Sequence, residues 1–189
     1  MALGATPAQT VGPFFAVALP LPLGPALIPP GDPRAIRLHG EVRDGAGDPV
    51  PDAMLEIWQA NAAGRYAHPE HDDADAPLEP GFSGFGRACT DADGCFTFFT
   101  VKPGPVPAPD GGLQAPHVAL SVFARGLLHR LVTRIYFPDE GEANAADPVL
   151  SAIADPALRD SLVAREDGPG ALRFDVRLQG DRPTAFFAL

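Results

Sequence analysis

A chain of 189 residues with 46% apolar content is long enough to bury the core of one domain. Its formal charge of -10 argues against nucleic acid and against anionic membrane surfaces as partners. Two cysteines, Cys89 and Cys95, fit a reducing cytoplasm better than a disulfide scaffold.

From the N-terminus, residues 14–30 are almost uncharged, yet their prolines forbid a spanning helix, and no basic region or small-residue cleavage pattern precedes them. Residues 1–35 read as an extended Pro-rich arm that either lies along another subunit or folds back on its own domain. The domain proper is expected over residues 36–189. Residues 36–43 alternate apolar and polar, residues 44–49 supply a turn, and a strand over 53–59 completes a first predicted hairpin. Trp58, the single tryptophan, reads as a core plug. After Tyr66, the His- and Asp-rich residues 68–75 read as a solvated loop, because their spacing is irregular for a divalent metal.

Residues 86–139 read as four apolar strands. Asp91-Ala92-Asp93-Gly94 is a tight turn between the first two, predicted as a hairpin in which Cys89 and Cys95 lie diagonal to each other. Three prolines between Lys102 and Pro107 cannot continue a strand, so the chain must cross the sandwich before His117 opens the third. Tyr136 sits in the fourth, over 131–137, as a packed residue. Residues 144–165 form the only helical candidate, with Asp147-Pro148 and Asp155-Pro156 as capping pairs and Leu158, Leu162 and Val163 on one face. Strand alternation resumes over 172–179 and 184–187. Many short strands with one short helical insert describe an all-β sandwich.

Several segments in this order carry a family resemblance: Thr6-Pro7-Ala8-Gln9-Thr10-Val11-Gly12-Pro13-Phe14, Leu55-Glu56-Ile57-Trp58-Gln59-Ala60, Asn61-Ala62-Ala63-Gly64-Arg65-Tyr66, Thr90-Asp91 with Gly94, Thr100-Val101-Lys102-Pro103-Gly104-Pro105, Ala115-Pro116-His117 and Arg134-Ile135-Tyr136-Phe137. Together they resemble the intradiol ring-cleavage dioxygenases, and within them the protocatechuate 3,4-dioxygenases. The resemblance implies a transthyretin-like sandwich and Fe(III), held in iron-bearing members by two tyrosines and two histidines. Ferric iron favours anionic oxygen, and an H-x-H pair in a strand puts both imidazoles on one face.

Tyr66 matches the first tyrosine and His117 the first histidine, but Val106 stands at the second tyrosine and Ala119 at the second histidine. Gln114 replaces the arginine that faces the aromatic ring. By resemblance this is the non-metal chain of a hetero-oligomer whose beta partner binds Fe(III) and a small aromatic acid. The resemblance implies that it holds no metal and no catalytic residue of its own. Tyr66, His117 and Arg125, with Gln114, Val106 and Ala119, are expected to form a vestigial pocket. Gly12, Pro13 and Phe14 of the arm are expected to wall the partner's substrate pocket. Two alternatives stand beside this: a self-sufficient iron dioxygenase with atypical ligands, and a stand-alone β-sandwich binding or structural module.

Overall fold

The computed structural model describes residues 6–12, 15–21, 24–70, 79–109 and 111–188. Pro13, Phe14 and the part of the acidic loop beyond Glu70 lie outside the described residues.

Burial alternates with period two along β1 (Ile36–Arg43), β4 (Cys95–Thr100) and β7 (His117–Phe123), as strands with one face on a core require. One sheet is built on β1. Beside it runs antiparallel β4 on one edge and, on the other, parallel β10 (Ala171–Arg173) and β11 (Val176–Arg177), with β9 (Arg165–Glu166) outside β10. The second sheet is wholly antiparallel, in the order β3 (Phe85–Cys89), β2 (Met54–Trp58), β7, β8 (Leu131–Tyr136). A small ribbon pairs β5 (Val106–Pro107) with β6 (Leu113–Gln114). Leu38, Val42, Phe96 and Phe98 from the first sheet meet Leu55, Ile57, Val118, Leu120 and Val122 from the second, and this inter-sheet layer is the main core. Each such side chain contributes roughly 1.5–3 kcal/mol of burial.

Neither predicted hairpin forms. β1 and β2 belong to opposite sheets, as do β3 and β4, so the turns at residues 44–49 and 91–94 are corners between layers. Cys89 therefore faces Met54 and Cys95 faces Glu41 in register, and Cys95 is exposed. The single helix expected over 144–165 resolves into α2 (Gly141–Ala146), α3 (Pro148–Ala152) and α4 (Pro156–Asp160). The residue before a proline avoids helical dihedrals, and Asp147 and Asp155 accordingly sit extended, each capping the helix that follows. Residues 184–187 make an isolated bridge, Phe187 to Val132, rather than a strand.

The arm contains one helical turn, α1 (Phe15–Ala18), and then closes one side of the sandwich. Gly24 O accepts from Arg87 N in β3 at 2.8 Å, while Pro25 O accepts from Phe99 N and Leu27 N donates to Phe99 O in β4, both at 2.8 Å. The two edge strands are thus joined across the layers. A Cβ on Gly86 would lie 2.4 Å from Leu27 Cδ1 and 3.3 Å from Gly24 O, so a side chain there would push Leu27 aside and press on the arm. Ile28 is buried with Phe82 and Val101. Among the described residues no helix is long and apolar enough to cross a membrane.

Candidate functional site

Val118, Leu120 and Val122 point into the core, so the alternation of β7 puts His117 and Ala119 on the outer face of the second sheet. There His117 lies opposite Tyr136, and Ala119 lies between Trp58 and Arg134. Two loops reach over this end. The first, residues 61–66, is folded by Asn61, whose Oδ1 accepts the backbone N–H groups of Ala63 and Arg65 at 3.0 Å. It delivers Tyr66 flat against Trp58, with ring centroids 5.8 Å apart and planes inclined by 12°. The second, residues 101–107, is clamped to the first: Gly104 N donates to Asn61 O at 2.9 Å, and a Cβ on Gly104 would meet Gly64 N at 2.6 Å. Gln59, fully buried, fastens this end to the other sheet, accepting from Thr100 Oγ1 at 2.7 Å and donating to Val101 O at 2.9 Å.

A continuous polar chain runs through the site. Arg134 Nη1 donates to Gln114 Oε1 at 2.8 Å and to Tyr136 Oη at 3.3 Å, and the Tyr136 hydroxyl donates to Asp147 Oδ1 at 3.1 Å. Asp147 is fully buried and also accepts from Ala115 N at 2.8 Å and from Val149 N and Leu150 N at 2.9 Å. Ala115 in turn offers its carbonyl to His117 Nδ1 at 2.7 Å, which puts the ring proton on Nδ1. Every member is partnered, as a desolvated network requires. Burial and the nearby Arg134 guanidinium hold the His117 pKa down to about 4, so the ring is neutral at pH 7. Burial pushes the phenols of Tyr66 and Tyr136 up, against the pull of Arg134, so both stay protonated.

The structure gathers Tyr66, His117, Ala119, Val106 and Gln114 at this end. Tyr66 rests on Trp58 beside Ala119, and buried Val106 pairs with Gln114. It does not bring Arg125 there. That residue follows the far end of β7, half-exposed and ion-paired to Asp52. The turn it belongs to holds the arm instead, since Gly126 N donates to Thr10 Oγ1 at 2.8 Å. Gly12, two residues on, is exposed, with nothing within 4 Å of an added Cβ. The sequence places neither Arg134 nor Asp147 in the pocket: Arg134 stands there only as part of a motif, and Asp147 only as a helix cap. A lone arginine inside the apolar run Leu131-Val132-Thr133-Arg134-Ile135-Tyr136-Phe137 was the available signal for the first.

These residues do not fit a ferric ion. Val106 and Ala119 carry no donor, so Tyr66 and His117 are left as the ligand-type side chains of the expected set, with the Arg134 guanidinium beside them, and among the described residues no three His, Cys, Asp or Glu side chains converge for a metal.

Comparison with known proteins extends the picture to the whole chain. The family described as Dioxygenase matches residues 11–180. The protocatechuate 3,4-dioxygenase alpha chain of Pseudomonas putida is 42% identical over 197 residues, covering 96% of this chain and 95% of that one. The corresponding beta chain of Burkholderia cepacia is 40% identical over 161 residues, covering 79% of this chain and 67% of that one. Among solved structures, the dioxygenase domain of a dioxygenase carbohydrate-binding protein fusion from Streptomyces sp. SirexAA-E aligns with a TM-score of 0.60 at 30% identity, covering 94% of this chain and 99% of that one.

Proposed function

This chain belongs to the intradiol ring-cleavage dioxygenase family, and from that premise we propose that it is the alpha, non-iron subunit of a protocatechuate 3,4-dioxygenase. The observation that carries the reading is the donor set at the start of β7: Tyr66 and His117 remain, Val106 and Ala119 replace the other two ligands, and Arg134 lies among them. The likeness to an alpha chain over nearly its whole length agrees with it.

In the assembled αβ enzyme the beta subunit's ferric centre supplies the oxygen chemistry that opens protocatechuate between its two hydroxyl-bearing carbons, giving 3-carboxy-cis,cis-muconate. The present chain contributes shape. Thr10, hydrogen-bonded to the Arg125-Gly126 turn, anchors the arm two residues before Gly12, and the family resemblance assigns Gly12, Pro13 and Phe14 to the wall of the partner's substrate pocket. Gly12 lets backbone approach substrate closely, Pro13 fixes the direction and Phe14 adds an aromatic wall. The later part of the arm, residues 24–28, seals its own sandwich, and on this reading the earlier part serves the partner. The assembly works in the cytoplasm on a small aromatic acid.

The test is iron content and protocatechuate-dependent oxygen uptake for this chain purified alone and after co-expression with a beta chain. Iron and uptake only in the co-expressed complex support the reading. Stoichiometric iron with uptake in the isolated chain would overturn it.

A further inference from the structure

Loss of two ligands explains why a ferric ion would bind weakly here; it does not explain what has replaced the ion's positive charge. The residue directly opposite Ala119 in the β7–β8 ladder is Arg134. Directly paired positions have Cβ atoms about 4.5–5.5 Å apart, so a methyl at 119 leaves the space next to it for a long side chain. Arg134 is no mobile surface group. Its Nη1 is held by Gln114 at 2.8 Å and Tyr136 at 3.3 Å, and Tyr136 is anchored by the buried Asp147 carboxylate at 3.1 Å. The positive charge of the guanidinium and the negative charge of Asp147 are therefore balanced through one phenol, inside a cluster that also feels Arg134 at Tyr66 and His117.

We propose that Arg134 is a resident cation that excludes metal from this pocket, so that restoring the missing ligands at residues 106 and 119 does not recreate a ferric site while the guanidinium remains. The inference rests on the reading that this chain works without a metal of its own. Two physical effects support it. A trivalent ion placed beside a tethered, half-buried guanidinium is repelled with less screening than on the open surface. A histidine at 119 would also compete with the Arg134 side chain for the same space on the sheet face. Asp147 cannot relieve the repulsion by ligating an ion, because its oxygens already accept from Ala115, Val149, Leu150 and Tyr136.

The experiment uses the full chain in four forms: the natural sequence, Val106→Tyr with Ala119→His, and that pair combined with either Arg134→Met or Arg134→Lys. Each is incubated with iron in air, desalted, and read by iron content, by tyrosinate-to-iron absorption in the visible range, and by circular dichroism to confirm folding. The expected result is iron retention about tenfold or more higher in the Arg134→Met form than in the pair alone. The Arg134→Lys form, which keeps the charge and loses the planar fork, stays iron-poor. Stoichiometric iron in the pair with Arg134 intact overturns the inference, as does a folded Arg134→Met form that takes up no more than the pair. Stoichiometric iron in the natural chain is a different outcome, because it overturns the functional reading itself.

Discussion

Asp147→Ala tests the buried network most directly. In the native chain the carboxylate is fully buried and accepts four hydrogen bonds, from Ala115 N, Val149 N, Leu150 N and the Tyr136 hydroxyl. Losing the cap of α3 costs about 1 kcal/mol. The Ala115 N–H and the Tyr136 O–H are left buried without an acceptor, at roughly 1–3 kcal/mol each. The sum is about 3–7 kcal/mol, and its midpoint of about 5 kcal/mol corresponds to a fall in Tm of roughly 10–20 °C for a chain of this size. Asp147→Asn should cost about half as much, because its carbonyl oxygen still caps α3 while its amide donor opposes the Ala115 donor. Urea unfolding followed by circular dichroism, with calorimetry as a two-state check, measures both. A cost below about 1 kcal/mol for the alanine variant would refute the reasoning, because it would mean that water or another group satisfies these donors.

His117 makes a second prediction through pH. Its folded pKa of about 4 lies below its ordinary value of 6.5, so the unfolded chain takes up the proton first as pH falls. The neutral ring's contribution, up to about 3 kcal/mol, is present above pH 6.5 and lost on the way down to pH 4, and His117→Gln should flatten that part of the stability profile. Gly104→Ala puts a methyl 2.6 Å from Gly64 N and 2.7 Å from Ala62 O, both backbone atoms that cannot rotate aside. The two loops should part at a cost of about 1–3 kcal/mol, with a red shift of Trp58 emission as Tyr66 leaves its ring. An unshifted spectrum would show that the loops are not clamped there. Gly12→Trp should leave the melting of the isolated chain unchanged, since nothing lies within 4 Å of the new Cβ, and raise the KM for protocatechuate in the αβ complex. An unchanged KM would remove Gly12 from the substrate pocket.

The strands were legible because period-two burial is written directly into residues such as Leu38, Gly40 and Val42. Their partners were not. An Asp-Gly turn specifies a local reversal, and the reversal at 91–94 serves a corner between layers as well as a hairpin. The same limit hid half of the site. Tyr66 and His117 stand in recognisable motifs, whereas Arg134 matters through its register against Ala119, which only the β7–β8 pairing fixes. Asp147 was visible as a helix cap, and that role is real. Its second pair of bonds, to Ala115 and Tyr136, spans 32 and 11 residues and leaves no local trace. Arg125 was misplaced because the match of Phe123-Ala124-Arg125-Gly126 to the family's sequence says nothing about which end of β7 its side chain serves.

The seam made by residues 24–28 has a consequence for how the chain is assembled in time. This segment leaves the ribosome well ahead of β3 and β4, the strands it must bridge, so it can dock only after both layers have formed and stacked. Until then the N–H and C=O groups of Arg87 and Phe99 lie on two bare edges, each a template for another strand. A chain shortened past Ile28 would keep its sandwich and lose its seal. Its defect should appear less as lowered stability than as self-association during folding, worsening with concentration.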